Sequence, residues 1–135
     1  MISKPLEAAL HSSFVRAREK RQRWITVEHL LLQLLDESAM QQWLESSGID
    51  TTGLRAELTR YVSKTEAFPS EQFADTEPTA AFQRTIQHAI LRAQESGAAE
   101  VTPVHIFEAV LAQGKRLSLD PVVQRHLSSS KWEDR

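Results

Sequence analysis

Cysteine is absent from this chain of 135 residues, so it offers neither a disulfide framework nor a thiolate nucleophile. Freedom from disulfides suits the cytoplasm, which is the expected location. Glycine and proline are scarce, four and five respectively, too few for a many-turned β architecture. No apolar run approaches the roughly 18 residues of a membrane span, and the opening "MISKPLEAAL" lacks the apolar stretch of a signal peptide, so no membrane association is expected. Charge is also nearly balanced. A formal net charge of -2 gives no general attraction to nucleic acid or anionic lipid. What remains, 41% apolar and 25% charged residues, is the composition of a globular domain, and the length fits one such domain over 1–135.

Helical periodicity dominates the pattern. Leu6, Ala9, Leu10, Ser13, Phe14 and Ala17 form one stripe at three-and-four spacing, with Pro5 suited to the first turn. Thr26 is a natural cap for the next helix, "VEHLLLQLLDE", which is apolar on most sides and therefore expected to be buried, with Glu28 in its first turn. Ser38 is the expected cap of a short third helix ended by Gly48. Asp50 should open a fourth that turns Leu54, Leu58, Tyr61 and Val62 inward. Periodicity then lapses over "SKTEAFPSEQFADTEP", which reads as a linker.

After that linker the early pattern returns at a constant offset of 76. Leu6, Leu10, Ser13, Phe14 and Ala17 recur as Phe82, Ile86, Ala89, Ile90 and Ala93. Apolar matches alone are weak, since any two amphipathic helices share a period. Arg16, Glu19, Thr26 and His29 also recur unchanged, as Arg92, Glu95, Thr102 and His105, and that identifies a tandem repeat. Repeat one spans about 4–64, the linker about 65–78 and repeat two about 79–128. The second copy is shorter: Leu35 to Ile49 is 14 positions, whereas Leu111 to Leu119 is 8. The counterpart of the third helix can therefore be little more than a turn. "LDPVVQRHL" resumes the last helix, with Asp120 as expected cap and Pro121 at its first position, and "SSSKWEDR" reads as a tail. The expected class is all-α, two pseudo-symmetric repeats of a four-helix unit. Thr26 and Thr102 should be equivalent caps, and Leu30, Leu31 and Leu34 should be buried against Ile106, Phe107 and Val110.

Catalytic patterns are missing. There is no G-x-x-x-x-G-K-[ST] phosphate loop, no G-x-S-x-G and no H-E-x-x-H, so no enzymatic activity, cofactor or metal is expected. His29 and His105 are surrounded by apolar residues and lack partners at ligand spacing. They read as imidazoles that bond the helix start or a neighbouring loop. Glu28 and Glu108 have no partner carboxylate evident in the sequence and read as first-turn or solvated helix residues. The run "RAREKRQR" spreads its cations around a helix end without interleaved aromatics, a poor match to nucleic-acid recognition. Trp24, Trp43 and Trp132 read as core or capping residues, Trp24 lying on the border between that and a ligand-facing role.

The stretches "FVRAREKRQRWITVEHLLLQLL" and "DTEPTAAFQRTIQHAI" resemble the two repeats of the N-terminal domain of Clp ATPases, most closely the ClpA type. The likeness runs from about Leu6 to Leu111. It implies an all-α fold of two pseudo-symmetric four-helix repeats that hydrolyses nothing itself. It further implies a docking module for protein substrates and a ClpS-like adaptor, which feeds a ClpA-type unfoldase and its partner protease. The ATPase ring would be a partner within a longer chain. By the same resemblance the adaptor contact falls on Glu28, Thr79 and Arg84. Glu28 is expected to hold an exposed carboxylate, and Arg23 beside the patch stands where family examples are acidic. A free-standing Clp-repeat protein that modulates such a machine, or a small helical nucleic-acid binder, are the alternative readings. The last would require a salt-dependent shift of DNA.

Overall fold

Helix α1 (Lys4–Glu19) opens a computed structural model that describes residues 2–64, 76–117, 119 and 121–128. Ser3 caps it, its hydroxyl accepting from the Leu6 amide at 3.3 Å, and Pro5 lies in the first turn. Leu6, Ala9, Ser13 and Ala17 are buried, with Leu10 and Phe14 packed partly buried beside them, as the spacing requires. A two-residue strand β1 (Trp24–Ile25) leads into α2 (Val27–Leu34), whose Val27 to Leu31 and Leu34 are all buried. Then come α3 (Ser38–Ser46) and α4 (Thr51–Ser63), the latter capped by Asp50, whose carboxylate accepts from the Gly53 amide at 3.2 Å. Strand β2 (Glu77–Pro78) precedes α5 (Ala80–Glu95), α6 (Pro103–Gln113), a 3-10 turn over Gly114–Leu117, and α7 (Pro121–Ser128). That turn occupies the place of the third helix in the shortened second copy. Asp120, residues 65–75 of the expected linker and the tail from Ser129, including Trp132, lie outside the described residues. Among the described residues no helix is long and apolar enough to cross a membrane.

Three local expectations change. Ser38 is already helical, and Glu37 holds the N-cap position, with extended backbone and no side-chain cap bond. Its amide is bound to the Leu34 carbonyl (3.1 Å), so α2 passes into α3 through one tight turn, leaving no extended serine to cap it. Thr26 and Thr102 share extended backbone angles, and each donates its N–H to the imidazole Nδ1 three residues on, at 3.0 and 2.9 Å. The Thr26 hydroxyl accepts from the His29 amide (3.4 Å), completing a reciprocal box. Both hydroxyls also face that Nδ1, at 2.8 and 3.1 Å, but the His105 amide reaches the Thr102 carbonyl (3.0 Å). Finally, Leu30, Leu31, Leu34, Ile106, Phe107 and Val110 are buried in one core, but the seam between halves is not mainly α2 on α6. Helix α2 packs on α5, α3 on α6, and α4 on α7.

The reason is an exchange of backbone between the copies. Ile25 of β1 pairs in parallel with Pro78 of β2, and Ile2 pairs in parallel with Val101. With the offset of 76, Ile25 corresponds to Val101 and Ile2 to Pro78. The segment before α2 therefore holds the start of α5, while the segment before α6 holds the start of α1. The bonds repeat accordingly: Thr79 N–H donates to the Ile25 carbonyl (3.1 Å), and Ser3 N–H to the Val101 carbonyl (2.9 Å). Tying Thr79 to Ile25 starts α5 beside α2, which places α5 on that flank.

The first helix of each copy ends in the same Schellman turn. Gln22 N–H donates to the Ala17 carbonyl and Ala98 N–H to the Ala93 carbonyl, both at 2.9 Å. The left-handed residue is Gly97 (φ 73°) in the second copy but Arg21 (φ 56°) in the first. A side chain there costs roughly 1–2 kcal/mol of backbone strain, partly offset by the greater entropy glycine loses on folding. Arg21→Gly is expected to raise stability by up to about 1 kcal/mol, read as a higher urea midpoint at unchanged slope. A lower midpoint would mean that the Arg21 side chain outweighs the strain.

Candidate functional site

Where α5 starts beside α2, the surface is left concave. An open groove of about 210 Å³ is walled by Thr26, Val27 and Glu28 at the start of α2, and by Thr79, Ala81 and Arg84 at the start of α5. Tyr61 of α4, Leu117 of the 3-10 turn and Leu119 close it with apolar surface. Thr79 caps α5, its hydroxyl accepting from the Phe82 amide at 3.1 Å, so its oxygen is committed to the helix. Arg84 is exposed. Among the described residues no carboxylate stands within ion-pair distance of it, Glu77 and Glu28 included.

Glu28 differs from expectation. It is only 4% exposed rather than presenting a free carboxylate. Arg23 is not part of the groove wall. It is exposed, its guanidinium lies 5.7 Å from the centre of the Trp24 ring, and its carbonyl accepts from the Glu77 amide at 3.1 Å. The structure thus brings Glu28, Thr79 and Arg84 to one groove and leaves Arg23 outside its wall. Trp24 is 39% exposed rather than core, while Trp43 packs on Phe107 with ring centres 5.7 Å apart.

The internal symmetry separates what the fold needs from what it does not. Thr79 corresponds to Ser3, and each hydroxyl caps its helix, while Thr26 and Thr102 share the bond from their N–H to the imidazole three residues on. Glu28 corresponds to Val104 and Arg84 to Ala8. The same helix junction forms in the second position with neither charge. Tyr61, Leu117 and Leu119 are the groove residues that periodicity did not assign to a site. The comparison of Glu28 with Val104 was available in the sequence and marks the same place.

On the other side of the same helix start, His29 anchors a relay that sequence reasoning anticipated only in part. Nδ1 accepts from Thr26 N–H, so Nε2 carries the proton and donates to Gln22 Oε1 at 2.9 Å. Gln22 Nε2 donates in turn to the Val62 carbonyl (2.7 Å), and the Thr76 hydroxyl donates to the Gln22 carbonyl (2.6 Å). Burial, assisted by the nearby Lys20 ammonium, lowers the His29 pKa from 6.5 to about 4. The imidazole is therefore a neutral strut at pH 7. Gln22, buried inside an arginine-rich run, is the residue whose role went unread. Among the described residues no cluster of three or more His, Asp or Glu could hold a metal ion.

Comparison with known proteins agrees with this architecture. The profile of the Clp repeat (R) N-terminal domain matches residues 1–119. A ClpA homolog protein of Fuscovulum blasticum is 34% identical over 113 residues, 82% of this chain but 14% of that protein. Among solved structures, the complex of a ClpV N-domain with VipB peptide superposes with a TM-score of 0.75 at 21% identity, covering 95% of this chain and 78% of the other. The Hsp104 N-terminal domain from Candida albicans gives 0.70 at 12% identity, covering 95% and 89%. At these identities the two structures speak for the fold alone, and they agree with the all-α double repeat. With the family profile covering residues 1–119, the groove residues included, the chain belongs to the Clp repeat N-terminal domain family.

Proposed function

We propose that this chain is the docking domain of a ClpA-type unfoldase, non-catalytic in itself, and that the groove of Glu28, Thr79 and Arg84 receives a ClpS-like adaptor on its way to a cytoplasmic protease. The observation that carries this reading is the asymmetry between copies: the same junction forms in its second position with Ala8 where the groove has the exposed Arg84, so the junction itself does not call for a cation there. An exposed guanidinium beside a half-apolar concavity, with no ion pair among the described residues, is a forked donor for a partner's carboxylate or carbonyl. The ClpV N-domain solved with VipB peptide makes peptide docking a reasonable use of this fold. The chain spans 14% of the ClpA homolog's length, so the ATPase ring and the delivered substrates belong to the proposal as well.

Titration of a ClpS-type adaptor onto the domain tests it. Arg84→Ala is expected to weaken binding by about 2 kcal/mol or more, the cost of losing a central anchor. Because Glu28 is buried, the matched variant is Glu28→Gln, which keeps the shape and removes the charge. Unchanged affinity in both variants, with intact folds, would move the contact away from the groove. Failure of the wild type to bind would favour the free-standing Clp-repeat protein instead.

A further inference from the structure

A second cleft, with room of about 50 Å³, lies between α1, α2 and the end of α4, away from the adaptor groove. Arg16 and Lys20 stand one helical turn apart on its rim, both exposed. Its other polar lining is Ser13, Gln22, His29 and Gln33. Ser13 donates to the Ala9 carbonyl (2.7 Å), and Gln22 and His29 are locked in the relay, so the floor is rigid. Among the described residues no Asp or Glu lines the cleft.

The second copy again serves as a control. Arg16 corresponds to Arg92, whose Nε lies 3.8 Å from Glu108. Glu108 corresponds to Leu32, which lines the cleft in the first copy, and Lys20 corresponds to Ser96. The first copy has thus gained a cation and lost the neutralising acid at the same junction of helices. Two like charges a turn apart disfavour a helix slightly, and folding does not require them, since the second copy packs α5 on α6 without them. The room is that of a few water molecules, enough for one oxyanion head and too little for a ring.

We propose that this cleft is a binding site for a single oxyanion group, carboxylate or phosphate, held by Arg16 and Lys20 with the Gln33 amide as neutral donor. Charge-assisted donors on two sides and a fixed floor suit such a group. The site is independent of adaptor docking in the groove.

Backbone amide NMR titrations of the whole chain with sodium phosphate and with sodium acetate, each against sodium chloride at equal ionic strength, test the proposal. Saturable shifts at Lys20, Gln22, His29 and Gln33 are expected with one or both probes, and the probe that saturates identifies the chemistry. Arg16→Gln and Lys20→Gln should each weaken that binding about three- to tenfold, loss of one charge-assisted contact at an exposed site. Arg92→Gln should leave it unchanged. Shifts no different from chloride, or equal in Arg16→Gln, Lys20→Gln and wild type, would overturn the site. Both substitutions are at exposed positions, and the unshifted amides report whether the fold is kept.

Discussion

Phe107→Ala is expected to cost about 3–5 kcal/mol, enough to remove much of the stability of a domain of this size. Phe107 is fully buried and is the largest such side chain among the described residues. It stands on α6 and meets Trp43 of α3 with a ring separation of 5.7 Å and a tilt of 49°. Because α3 on α6 is one of the seams between the halves, the loss removes a pair that couples the two repeats. The aromatic pair adds about 0.5–1.5 kcal/mol to the burial of area alone. Urea unfolding followed by far-UV circular dichroism checks the claim, and a double-mutant cycle of Trp43→Leu and Phe107→Ala isolates the pair. A cost below about 1 kcal/mol would mean that the core collapses into the space and that the seam is not held there.

The sequence carried most of the helices because their apolar residues fall on one face: Leu6, Ala9, Ser13 and Ala17 in α1, and Phe82, Ala89 and Ala93 in α5, are buried in register. It carried the repeat because Thr-x-x-His fixes a helix start through backbone bonds that no other spacing supplies. What it did not carry depends on backbone or on tertiary packing. The exchanged pairs, Ile25 with Pro78 and Ile2 with Val101, are made by N–H and C=O groups and have no side-chain signature. That exchange sets α5 against α2, and the burial of Glu28 is likewise a tertiary outcome that a first-turn glutamate cannot reveal from its neighbours. Gln22 reads as surface among arginines, yet the left-handed turn at Arg21 folds it back under α4. Of the candidate site, Glu28, Thr79 and Arg84 meet in one groove. Arg23 is outside that groove wall, its guanidinium 5.7 Å from the centre of the Trp24 ring.

Acid should weaken this domain in a way that traces to one imidazole. His29 has its pKa lowered from 6.5 to about 4 in the folded state, first by burial and then by Lys20. The unfolded chain therefore takes up a proton near pH 6.5 that the folded chain refuses until about pH 4. The stabilisation from neutral His29 is complete above pH 6.5, declines as pH falls, and is gone below about pH 4. A difference of this size corresponds to about 3 kcal/mol across the window. The structural reason is specific: Nδ1 must remain an acceptor for Thr26 N–H, and the single Nε2 proton is already given to Gln22. Protonation of Nδ1 would break the capping box and set a second cation beside Lys20. Carboxylates also titrate in acid, so the test is a difference between two proteins. His29→Gln keeps a side-chain acceptor at the third helical position, suited to the same box, and does not titrate. Wild type is expected to lose about 3 kcal/mol more than His29→Gln between pH 7 and pH 4, measured by urea unfolding at each pH. Parallel curves for the two proteins would show that His29 is not the acid-sensitive strut.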